Sequence, residues 1–80
     1  MRFKVIENIY GPRGERTIIK VDSTGKFRYR LYYNRKRRPG NEWMWVSVHY
    51  TDDGDVITTG YAGRMVDAES AARNWCIKEA

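Results

Sequence analysis

Two segments of strict period-two alternation, Lys26–Tyr33 and Trp43–Thr51, constrain the fold of this chain more than any other part of it. In the first, Phe27, Tyr29, Leu31 and Tyr33 fall on one side of an extended backbone, and Lys26, Arg28, Arg30 and Tyr32 on the other. In the second, Met44, Val46, Val48 and Tyr50 alternate with Trp43, Trp45, Ser47 and His49. The segment between them, Asn34 to Glu42, ends in Pro39-Gly40-Asn41-Glu42, so the whole reads as a β-hairpin with a long turn. Pairing Tyr33 with Met44, Leu31 with Val46, Tyr29 with Val48 and Phe27 with Tyr50 makes one face wholly apolar. The other face then collects Arg28, Arg30, Tyr32, Trp43, Trp45, Ser47 and His49. A slip of one residue would bring Arg30 into the apolar face, so the alternation selects this register.

The flanking segments extend the same pattern. Arg2–Ile9 and Arg16–Val21 read as strands, the second rich in β-branched residues, separated by the turn Tyr10-Gly11-Pro12-Arg13-Gly14. Asp22-Ser23-Thr24-Gly25 is a further turn, and Thr51-Asp52-Asp53-Gly54-Asp55 a hairpin turn leading to a strand over Val56–Tyr61. Pairing Tyr50 with Ile57 carries Thr59 and Tyr61 onto the apolar face. After Gly60 and Gly63 comes the single helix signal: Asp67 as N-cap, Glu69 in the first turn, and Ala68, Ala71, Ala72, Trp75 and Cys76 as an apolar stripe. A helix of about 13 residues is not stable alone in water and must dock on the sheet. The expected architecture is α+β: a small antiparallel meander of four to five strands in one domain, residues 1–80, with a C-terminal helix on one face. The helix is expected over the Phe27, Leu31, Val46 and Val48 face. That leaves the Arg28, Arg30, Trp45 and His49 face open to solvent.

Composition narrows the function classes. With 41% hydrophobic and 14% aromatic residues the chain is globular rather than disordered. Its charged, alternating N-terminus is not a signal peptide, and no apolar run approaches the roughly 20 residues of a membrane span. Cys76 is the only cysteine, so no internal disulfide and no cysteine-rich metal site is expected, and a cytoplasmic setting fits. A net charge of +5 points to an acidic partner: nucleic acid, a nucleotide, an anionic lipid or an acidic protein surface, of which nucleic acid or an acidic protein surface is expected.

The charge is clustered. Seven of the fifteen Lys and Arg residues lie between Lys26 and Trp45, interleaved with aromatic rings. The candidate binding residues are therefore Arg28, Arg30, Tyr32, Trp43, Trp45 and His49 on one sheet face, and Arg35, Lys36, Arg37 and Arg38 at the hairpin tip. Guanidinium groups and flat rings together suit phosphates and bases. Nothing comparable supports catalysis. His49 is the only histidine; Asp52, Asp53 and Asp55 are explained by a turn and lack the spacing of a calcium loop; Cys76 lies on the apolar stripe; and Gly11-Pro12-Arg13-Gly14 lacks the Lys-Ser/Thr of a phosphate loop.

The expectation is a small basic protein without enzymatic activity, cofactor or metal, binding nucleic acid through its basic-aromatic hairpin. One alternative is a phage or mobile-element protein that inhibits a host nucleic-acid-processing complex, of the CRISPR or restriction kind, by protein–protein contact. Another is sequestration of a nucleotide, for which a chain this small would need a homodimer to build the pocket.

Overall fold

A computed structural model describes residues 1–80. Five strands, β1 (Phe3–Tyr10), β2 (Arg16–Asp22), β3 (Phe27–Tyr33), β4 (Trp43–Thr51) and β5 (Gly54–Ala62), are followed by α1 (Met65–Glu79). The strands form one antiparallel sheet in chain order, β1-β2-β3-β4-β5, so every connection is a hairpin. The expected α+β meander with one C-terminal helix is what forms. The helix packs on β3, β4 and β5, and β2 beside them reaches it through side chains, Lys20 to Glu69 and Arg16 to Met65, with Ile18 buried in the same core.

The register of the central hairpin differs by one residue from the expected one. Tyr33 pairs with Trp43, Leu31 with Trp45, Tyr29 with Ser47 and Phe27 with His49. The helix therefore covers Phe27, Tyr29, Leu31 and Tyr33 together with Trp43, Trp45, Ser47 and His49, not with Val46 and Val48. The physical reason lies at the helix interface. Ala68, Ala72 and Cys76 are fully buried, and Ser47 beneath them donates its Oγ hydrogen bond to the Ala72 carbonyl at 2.8 Å. A small side chain at position 47 lets the two backbones approach. The two indoles then fill the space beside the thin alanine stripe: Trp43 packs on Tyr33, with centroids 5.2 Å apart, and Trp45 lies flat over Gly60. A Cβ at Gly60 would meet the Trp45 ring at 2.5 Å, so this strand position must be glycine for Trp45 to lie there. Each indole removes far more apolar area from water than a valine would.

Two smaller differences follow from local geometry. The β4–β5 hairpin turns on Asp52 and Asp53 alone, with Thr51 opposite Gly54, whose φ of 124° suits glycine. Ile57 consequently pairs with Val48 rather than Tyr50. The shift is even, so Ile57, Thr59 and Tyr61 keep the face of Tyr50, but that face is the open one. The helix begins before Asp67: Arg64 stands at the N-cap in extended conformation without a side-chain cap, because Met65 already packs against the core. Asp67 sits in the first turn, where it meets the helix dipole and accepts from Arg64 Nε at 2.9 Å.

A polar group is tied into the helix interface. The Tyr29 hydroxyl donates to Glu69 Oε2 at 2.7 Å, and Lys20 Nζ donates to the same oxygen. Burial, and then the Glu69 carboxylate, push the Tyr29 hydroxyl well above its ordinary pKa. Burial opposes ionisation of Glu69, yet hydrogen bonds from Lys20 and Tyr29 outweigh it and hold the carboxyl below its ordinary value. A depressed carboxylate contributes stability above its unfolded pKa and loses it as pH falls through the folded one. Glu69→Gln is thus expected to lower stability by about 1 kcal/mol near neutral pH, with the gap closing below about pH 4. Urea unfolding of both proteins at pH 7 and pH 3 checks this; an equal gap at both would show that the charge contributes nothing.

Candidate nucleic-acid interface

The face away from the helix has no covering element. Because paired residues share a face, its side chains can be read in rows. Nearest the long hairpin loop, Thr17, Tyr32, Met44 and Tyr61 lie side by side across four strands. The next row holds Ile19, Arg30, Val46 and Thr59, and the one after it Val21, Arg28, Val48 and Ile57. Tyr50 and Asp55 close the far end. Val48 is buried, whereas Ile57 and Tyr61 are more than half exposed, at 62% and 52%. An apolar sheet face left uncovered over several strands is the kind of surface that marks an interaction site.

Two cations are set into this surface. The Arg28 guanidinium lies 5.9 Å from the Tyr50 ring centroid. A hydrogen bond with the Tyr32 side chain raises the Arg30 pKa, against the opposing effect of burial. The Nε atoms of Arg28 and Arg30 are buried and have no hydrogen-bond partner. The carboxylates on this face, Glu7 and Asp55, sit on the two edge strands, and Asp55 is at the end remote from the loop.

Of the residues expected to bind, Arg28, Arg30 and Tyr32 are together on the open face. Trp43, Trp45 and His49 are not: the observed register turns them under the helix. Trp43 is 9% exposed, Trp45 packs on the core, and His49 stacks on Phe27 with ring centroids 4.1 Å apart. Their rings are part of what holds the helix. The residues that join Arg28, Arg30 and Tyr32 are Met44, Tyr50 and Tyr61. The alternation along β4 separates the two sets, and the one-residue difference in register decides which of them shares a face with the arginines.

The loop from Asn34 to Glu42 is held by several internal hydrogen bonds. Asn34 N donates to the Glu42 carbonyl at 2.9 Å, Lys36 N to Asn34 Oδ1 at 2.9 Å, and Gly40 N to Glu42 Oε1 at 2.8 Å. Arg37 turns inward: its Nη1 donates to the carbonyls of Tyr32 at 3.0 Å and Glu42 at 2.9 Å. Arg37 therefore staples the loop, and Arg35, Lys36 and Arg38 are the exposed cations at the tip.

On the helix side a cavity of about 160 Å³ opens between β1, β2 and α1, lined by Asn8, Arg16, Lys20 and Glu69 among apolar neighbours. Its charged groups already have partners: Arg16 Nε meets Asn8 Oδ1 at 3.3 Å, and Lys20 meets Glu69. No group of three or more His, Cys, Asp or Glu residues is placed to hold a metal ion. Burial pushes the Cys76 thiol up, against a hydrogen bond with Ser47, which disfavours the nucleophilic thiolate. No helix is long and apolar enough to cross a membrane.

No family model, curated protein or solved structure matches the chain. Fold and site together define a class: a small α+β protein whose five-stranded antiparallel sheet carries a helix on one face and an arginine- and tyrosine-bearing surface on the other.

Proposed function

We propose that this is a small, non-enzymatic binding protein that holds nucleic acid on the uncovered sheet face and the adjoining loop. One observation carries the reading: Arg28, Arg30 and Tyr32 lie in line on β3, which runs directly into a loop exposing Arg35, Lys36 and Arg38. A stripe of cations and rings, with carboxylates only on the edge strands, suits phosphates flanked by bases. The net charge of +5 acts in the same direction at long range. A reducing cytoplasmic setting fits the buried free thiol of Cys76.

Fluorescence anisotropy with labelled single- and double-stranded probes tests the reading. Three to five phosphate contacts predict a log–log salt slope of about −2 to −3.5 on a single strand. Absence of binding to every probe at low salt would end it.

A second reading has its own support. Ile19, Val21, Val46, Val48 and Ile57 make the middle of the open face aliphatic, which favours a protein partner, as an inhibitor of a host nucleic-acid-processing complex would require. A complex with such a machine that survives nuclease and moderate salt would favour that reading. Nucleotide sequestration would still need a second copy of the chain to enclose the ligand, and stabilisation by a nucleotide panel would test it.

A further inference from the structure

We infer that the nucleic acid taken by this face is single-stranded, with two bases stacked on Tyr32 and Tyr61 and the phosphates held by Arg30 and the exposed loop cations. The inference rests on the nucleic-acid reading above and narrows it.

The geometry comes from the row nearest the loop. Tyr32 pairs with Met44, and Met44 pairs with Tyr61, so two phenol rings stand on either side of a thioether on adjacent strands. Two interstrand spacings separate them by about 10 Å. Tyr61 is 52% exposed, and Tyr32 is half-buried with its side chain against the Arg30 guanidinium. Tyr61 thus presents its ring as a surface, and Arg30 holds the Tyr32 ring in place beside it. Met44 between them is flexible and polarisable, a filler that adapts to whatever lies across the two rings.

A spacing of about 10 Å discriminates between ligands. Successive bases in a stacked strand are about 3.4 Å apart along the helix axis, so bases resting on the two rings must leave the stack and spread. A duplex gives up pairing as well as stacking to do this. A single strand presents its bases already free, and any base offers a π-face to a tyrosine.

Charge is placed to match. Arg30 lies two residues from Tyr32 on the same face of β3, about 7 Å along the strand. The loop with Arg35, Lys36 and Arg38 follows Tyr32 on the other side. Cations therefore bracket the tyrosine row, with no carboxylate in it.

The test uses a labelled 12-nucleotide oligothymidine and a mixed-sequence duplex of equal length, titrated with the wild-type protein, Tyr32→Leu, Tyr61→Leu and Tyr32→Phe. Leucine keeps an apolar side chain in the sheet and removes the ring; phenylalanine keeps the ring. The expected result is tighter binding of the single strand than of the duplex. Each leucine variant should lose about 5- to 150-fold in single-strand affinity, Tyr32→Phe should retain it, and weak duplex binding should not change. Equal or tighter duplex binding by the wild type overturns the inference and leaves the nucleic-acid reading standing. So does unchanged single-strand binding by both leucine variants. Failure to bind either probe at low salt, or a complex only with a protein that resists nuclease, removes both.

Discussion

Leucine at position 72 is expected to destabilise the protein by about 2–3 kcal/mol and to lower its melting temperature by roughly 10–20 °C. Ala72 is fully buried where α1 meets β4, and its carbonyl accepts the Ser47 hydrogen bond at 2.8 Å. Added methylene groups have no space to enter unless the helix lifts. Lifting breaks that bond and loosens the contacts of Ala68 and Cys76, both fully buried on the same side. An 80-residue domain has only about 4–12 kcal/mol of total stability, so the change removes a large share of it. Ala71→Leu is the control, because Ala71 is half-buried at the margin of the same helix face and should cost less than about 1 kcal/mol. Circular dichroism melts of the two variants settle the matter. Equal small shifts would mean that the alanine stripe does not set the distance between helix and sheet.

The same interface explains which parts of the fold were legible in the sequence. Strand positions, the meander and the docked helix follow from alternation, turn residues and the Ala68/Ala72/Cys76 spacing, and these need only local information. The register of β3 against β4 does not. Alternation tells which β4 residues share a face, but both of its sets are amphipathic: Met44, Val46, Val48 and Tyr50 read as core as readily as Trp43, Trp45, Ser47 and His49. Average hydropathy favours the first set. The helix decides for the second, because it needs a small residue under Ala72 and broad rings beside it, and that is a requirement between distant segments. The site inherited the same division. Arg28, Arg30 and Tyr32 were placed by their own strand, whereas Met44, Tyr50 and Tyr61 depended on the register. Asp67 likewise has the residue type of a cap, but the helix starts at Met65, which packs against the core.

Arg37 was hidden for a different reason: in a run of four cations nothing marks the one that folds back. Its role predicts a separation of effects that the neighbouring cations should not show. Arg37→Gln leaves the carbonyls of Tyr32 and Glu42 without their shared donor and should lower stability by about 1–2 kcal/mol, as loss of hydrogen bonds from a charged group does. The triple change Arg35→Gln, Lys36→Gln and Arg38→Gln removes only exposed side chains and should leave stability within about 0.5 kcal/mol of wild type for each substitution. Binding should divide the other way. Loss of three phosphate contacts makes the log–log salt slope on a single strand shallower by about 2, and affinity at low salt falls accordingly. Arg37→Gln, assayed well below its melting temperature, should keep most of the slope and lose affinity only through a loosened loop. Thermal melts and salt titrations on the same two proteins give both readouts. If Arg37→Gln flattened the slope as much as the triple change while leaving stability untouched, Arg37 would be a phosphate contact and not a staple, and the loop would turn outward when it binds.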